Sequence, residues 1–260
     1  MRFINSLTLL NVMIVSVAGA WVLLASVNFS YGLWHDIGGI KEGIERFAPQ
    51  NRYKQHFEHT TKMERVRVFR ETVVAIHSGG KGLKDINYYA RVASNNDEQS
   101  AAWHTENLYR EPEIEHLHDV AKLINFAAVF ALASLVCLIV GVLYLRHCFR
   151  AITSSKEQTP SPTLPNYLML SIKKQWLFLA LFLLASGVIL IIFGFEPVFN
   201  QLHIWVFPAE NQWFFYYQDS LMSTMMLAPR LFALIGAQWL AASLMILFVL
   251  QKLIKLIIRF

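Results

Sequence analysis

FEPVFNQLHIWVFPAENQWFFYYQDSLMSTMMLAPRLF, residues 195–232, decides how this chain is read. It lies between two long apolar segments, and Pro197, Pro208, Asn211 and Pro229 interrupt it too often for one spanning helix. It is also too aromatic for an ordinary hydrated loop, with Trp205, Phe207, Trp213, Phe214, Phe215, Tyr216 and Tyr217 close together. Trp and Tyr gather at the membrane–water interface because an apolar ring carries a polar tip. Polar backbone at membrane depth persists only where protein or a wet cavity covers it. The stretch therefore reads as a structured cap dipping into the interface, with His203 and Asp219 inside it. Ionisable groups at such depth point to function, although an aromatic anchor with idle polar residues fits the same letters.

Composition fixes the class. The chain has 260 residues, 55% hydrophobic and 16% charged, with a mean hydropathy of +0.39. These values describe an integral membrane protein and exclude an ordinary soluble domain. The net charge of +5 serves membrane orientation and anionic headgroups, not nucleic acid. Cys137 and Cys148 lie within or beside an apolar segment, so neither a disulfide nor a metal site is expected from them.

The reading outward from the cap gives an all-α membrane protein with four transmembrane helices. Residues 1–29 hold the first span, whose apolar run is residues 7–29; it is too long for a signal-peptide core. Residues 30–119 form an extracytoplasmic helical domain. Within it, residues 57–77 show helical apolar spacing, Gly79 and Gly80 stop that helix, and residues 95–100 read as a loop. Glu111 and Pro112 open a helix that runs into the second span, residues 120–145. A basic cytoplasmic connection (146–175), a third span (176–195), the outer interfacial cap (196–230) and a fourth span with its tail (231–260) follow. Arg2, the basic connection and Lys252, Lys255 and Arg259 place both termini in the cytoplasm.

That topology brings the start of the second span and the end of the third to the same face. His116, in EIEHLHDV (residues 113–120), and His203 both fall within a turn or two of it. On a helix, Asp119 shares the face of His116, and a neighbouring carboxylate can hold an imidazole in one tautomer. His118 points elsewhere, and a hydrated interfacial turn without chemistry fits these residues equally. His56 and His59 share a helix face in this reading, but two histidines without a third ligand make a poor metal site. No GxSxG, HExxH or P-loop is present. The cysteines lie on the cytoplasmic side, so histidine as a general base is the chemistry left.

These motifs have a resemblance. EIEHLHDV resembles the E-I-x-H-[LM]-x-D-V signature of the bacterial lipoprotein intramolecular transacylase family. The family's second signature is similar to Phe199, His203, Phe207, Trp213, Asp219, Leu221, Pro229 and Phe232, and FRETVVAIHSGGKGL (residues 69–83) resembles its helix-then-glycine segment. The sequence departs from the pattern at Leu202, Trp205, Gln212, Ala228 and Ala233. The resemblance implies movement of the sn-2 acyl chain of a diacylglyceryl-cysteine to its own α-amine, giving an N-acyl, lyso-form lipoprotein. It implies His116 and His203 as the catalytic pair, with Asp119 orienting His116 and Asp219 and Trp213 in support. No cofactor or metal is needed, because an ester becomes an amide. The partners would be a diacylated lipoprotein and membrane lipids, at the outer face of a bacterial cytoplasmic membrane. A non-catalytic scaffold or lipid-binding protein, or a lipase or acyltransferase on another lipid ester, stays open, as does the oligomeric state.

Overall fold

The computed structural model of the chain describes residues 2–94, 97–154, 163–207 and 210–259. Among the described residues, four helices are long and apolar enough to cross a membrane. The first, α1 (Arg2–Ser26), is followed by the short helices α2 (Tyr31–Ile37) and α3 (Ile40–Phe47) and by α4 (Lys62–His77). A hairpin of β1 (Asn87–Ser94) and β2 (Asp97–Asn107) leads to α5 (Glu111–Ser154). Then come α6 (Thr163–Phe193), α7 (Phe195–Val206), α8 (Leu221–Met226) and α9 (Arg230–Arg259).

Local sequence explains where these elements begin and end. Helix α4 starts at Lys62 and not at Phe57, because the Thr61 side chain accepts the Glu64 backbone N–H and caps the helix; such a cap contributes ~1 kcal/mol. Phe57 belongs instead to a separate 3-10 turn, Phe57–His59. Buried Arg65, Val68, Phe69, Thr72 and Ala75 repeat at three- and four-residue steps along α4, giving it one packed face. The helix ends at His77, and Gly79 and Gly80 follow with φ of 73° and 84°, as a left-handed exit requires. At Gly80 a Cβ would also crowd the His118 ring, which packs over this position.

The fold is the expected all-α membrane class, and a two-stranded hairpin is its one small sheet among the described residues. Residues 97–100, read as loop, lie in β2, while 95–96 fall outside the described residues. Tyr88 and Ala90 point inward and Tyr89 and Arg91 outward, the two-residue alternation of a half-buried strand. In the sequence that alternation is short and interrupted by the small residues of ARVAS, so the helical reading of its surroundings absorbed it.

The chain divides into two compact units. One comprises Met1–Leu23, Ala127–Gly194 and Trp239–Phe260. Its core holds Leu9, Val12, Leu138, Val142, Leu145, Ile172, Leu247, Ile254 and Ile258. Polar side chains join its helices: Gln175 Nε2 donates to Leu9 O at 2.9 Å, and Trp176 Nε1 donates to Gln251 Oε1 at 2.8 Å. Thr8 packs on Gly141, the kind of small-residue contact that lets membrane helices approach. Outward, Val129, Leu132, Val136 and Val140 of α5 are exposed, as lipid-facing residues are.

The other unit comprises Leu24–Phe126 and Phe195–Gln238. Tyr31 stacks on Phe69 at 4.2 Å, and its hydroxyl donates to Met225 O at 2.9 Å in a buried setting. Ile40, Ile44, Phe57, Tyr88, Leu108, Leu221 and Leu231 complete that core. The candidate span within α5 runs Glu111–Ala151, 41 residues. At 1.5 Å per residue that is about 60 Å, roughly twice a hydrocarbon core of ~30 Å. Part of α5 therefore stands beyond the hydrocarbon, and its charged first turns are the part suited to do so.

Candidate active site

Three segments of the second unit build the site. The first turns of α5 carry Glu113, His116 and Asp119. Helix α7 carries Phe199 and His203, and the irregular segment after it carries Phe207, Asn211, Trp213 and Phe215.

The two histidines meet. Their ring centroids are 6.1 Å apart with the planes tilted by 35°. Aromatic rings surround them: His116 lies 4.9 Å from Phe207 in an edge contact and 6.2 Å from Phe215. His203 lies 4.1 Å from Phe199, 5.3 Å from Phe207 and 5.2 Å from Trp213. His116 is 7% exposed.

His203 has a defined tautomer. Its Nδ1 is 2.9 Å from the carbonyl oxygen of Phe199, one helical turn earlier. A carbonyl only accepts, so Nδ1 carries the proton and Nε2 of the neutral ring holds the lone pair. Burial lowers the pKa of His203, and the Phe199 carbonyl opposes this more weakly. Near neutral pH the ring is therefore an uncharged base. His116 Nδ1 is buried without a hydrogen-bond partner among the described residues. A polar atom left so is usually satisfied by water or by something that binds.

The supporting residues divide. Trp213 joins the rings, as the motif implies. Asp119 sits beside the site but makes no hydrogen bond to His116 among the described residues. It accepts from Lys122 Nζ at 2.8 Å and from Asn211 Nδ2. It thus ties the segment after α7 to α5. Asp219 is not brought to the histidines: its carboxylate pairs with Arg52 Nη1 at 3.3 Å, and Arg52 N also donates to Gln218 O. His118 packs over Gly80, away from the pair.

Sequence reasoning missed Glu113. It is fully buried. One oxygen accepts from Ser220 Oγ at 2.6 Å and from Met222 N at 3.2 Å, and the other accepts from Arg110 N at 2.7 Å. Arg110 Nε is 3.6 Å away. The carboxylate therefore fastens the start of α8 to the start of α5, one turn before His116. The signal was present, since residues three apart share a helix face, but an acid in a first turn reads as a dipole partner.

The family model for lipoprotein intramolecular transacylases matches residues 82–229. That is 229 − 82 + 1 = 148 of 260 residues, more than half of the chain, and it includes both histidines. The chain belongs to the lipoprotein intramolecular transacylase family. No curated protein and no solved structure matches it. For this transacylase-family chain, then, the four apolar helices make a multi-pass membrane protein, and the paired histidines lie inside the matched region.

Proposed function

We propose that the protein moves the sn-2 acyl chain of a diacylglyceryl-cysteine lipoprotein to the α-amine of the same cysteine. The observation that carries this reading is the His116–His203 pair, 6.1 Å apart within aromatic rings. A general base works at about 2.6–3.2 Å from its proton donor. Rings at this separation let one reacting centre contact a nitrogen of each.

In the reaction, the amine nitrogen attacks the ester carbonyl carbon and a tetrahedral oxyanion forms. His203 Nε2 takes the proton that becomes acidic on the attacking nitrogen. His116, as a neutral imidazole, donates N–H to the oxyanion. The C–O bond to glycerol then breaks, and the glyceryl alkoxide takes a proton, returning the pair to its starting state. The products are an amide and a free glyceryl hydroxyl on one molecule. Donor and acceptor share that molecule, so the protein's main contribution is alignment, for which effective molarities reach about 10⁵–10⁸ M. Phe199, Phe207, Trp213 and Phe215 offer apolar surface to the acyl chains. The basic connection and tail favour the inside, so the site faces outward from a bacterial cytoplasmic membrane, where the lipid of such a substrate resides.

Purified protein incubated with a synthetic diacylglyceryl lipopeptide tests the reading by intact mass and fragmentation. The mass should stay unchanged while one acyl chain moves from oxygen to nitrogen. Loss of one acyl chain as free fatty acid would mark a lipase. A gain of one chain that depends on added phospholipid would mark an intermolecular acyltransferase. Unchanged lipopeptide under all conditions would favour a scaffold or lipid-binding role.

A further inference from the structure

The turn before α4 holds a second set of chemistry-bearing side chains that the transacylase site does not use. His56, Glu58 and His59 each offer a ligand atom, and these atoms all lie within 4.8 Å of one another. The sequence offers the two histidines; the fold supplies the third ligand. His56 is the left-handed residue, φ 65°, that precedes the 3-10 turn carrying Glu58 and His59, a backbone path unlike the α-helix expected there. The two imidazole rings stack at 5.9 Å.

The turn is held before anything binds. Phe57 is fully buried and meets Tyr88 of β1 edge-on at 5.2 Å. Thr60 Oγ1 donates to Phe57 O at 2.6 Å, and Arg65 donates to Thr60 Oγ1 at 2.9 Å and to Glu58 O at 2.9 Å. Those bonds fix the backbone without using the three side chains. Glu58 Oε1 is 3.5 Å from His59 Nε2. Its other oxygen, Oε2, is buried without a hydrogen-bond donor among the described residues. A buried acceptor in that state can be satisfied by a bound cation.

We propose that His56, Glu58 and His59 bind a divalent late first-row transition-metal ion, with Zn²⁺ as the representative. Two imidazoles and one carboxylate are a ligand set that Zn²⁺ takes, with a fourth position for water. The exposed His59 edge leaves room for that water. The site clamps the turn on which α4 and the hairpin both pack. It shares no residue with the His116–His203 pair.

The test uses full-length protein in detergent, prepared without a histidine tag, with Cys137 and Cys148 replaced by serine. Zn²⁺ is titrated against a chromophoric chelator. One equivalent should bind with a Kd of micromolar or below. His56→Ala and His59→Ala should each weaken binding by about tenfold or more, the equivalent of 1.4 kcal/mol. Glu58→Gln, which keeps the shape but loses the charge, should weaken it too. Zn²⁺ should raise the Tm of the parent and not of the His59→Ala variant. His116→Ala/His203→Ala protein should still bind one equivalent. Retention of full affinity in a folded His56→Ala/His59→Ala variant, or loss of binding on removing the other pair, overturns the assignment.

Discussion

At the scale of single residues, His203 and His116 differ in what their surroundings let them do. His203 donates its Nδ1 proton to a backbone carbonyl and leaves Nε2 as the base. His203→Ala and His116→Ala should each lower kcat by roughly 10²–10⁴-fold, whereas His56→Ala should leave activity near the parent value. An active, folded His203→Ala variant would remove the mechanism. The pH profile should carry the same information. The substrate α-amine, with a pKa of about 7.7–8, must be neutral to attack, so log kcat/KM rises with unit slope below that value. His203 is held below the ordinary histidine value of ~6.5 by burial. The slope should therefore steepen to two only on the acid side of that value, where His203 gains a proton and ceases to be a base. A second break above pH 7 would exclude His203 as that base. Gly80→Ala tests a packing claim. Its φ of 84° and the crowding against His118 together should cost at least ~1–2 kcal/mol, read as a lower Tm.

At the scale of elements, the site depends on how α5, α8 and the segment after α7 are tied. Glu113 receives three donors, from Ser220, Met222 and Arg110, in a fully buried place. Glu113→Ala strands these donors, at about 1–3 kcal/mol for each buried group left unpaired. Its Tm should fall, and its activity should fall with it. Ser220→Ala removes one hydrogen bond and should cost about 1 kcal/mol. A Glu113→Ala protein with parental Tm would show that α8 is held by packing alone. This tie was not legible beforehand. Glu113 and Ser220 lie 107 residues apart, and nothing local to either announces the other. Asp119 gives the same lesson in reverse: its spacing from His116 is right for a helix face, yet Asn211 and Lys122 occupy its oxygens.

At the scale of the whole molecule, the four apolar helices set the topology question. If both termini are cytoplasmic, as the basic segments imply, a Lys81→Cys variant lacking Cys137 and Cys148 should react with a membrane-impermeant maleimide in intact cells. Lys81 is exposed, so lack of reaction before permeabilisation would reverse the orientation. Such a reversal would put the histidine pair on the face opposite its proposed substrate.

The spans were legible because bilayer thickness demands about 20 apolar residues in a row, and residues 7–29, 120–145, 176–195 and 231–250 each meet that demand locally. The two histidine segments stood out because EIEHLHDV and the residues from Phe199 to Phe232 resemble a family pattern, and both histidines fall within the matched residues 82–229. The start of α4 was not legible, because apolar spacing begins at Phe57 while the capping residue is Thr61. What only the tertiary structure decided are the contacts between distant segments. They include the 6.1 Å approach of His116 to His203, the burial of Glu113, the pairing of Asp219 with Arg52, and the convergence of Glu58 on two histidines. Periodicity and solvent preference act along a few neighbouring residues and so can be read in order. A hydrogen bond or a ring contact depends on where two remote backbones meet, and that is fixed by packing the whole unit at once.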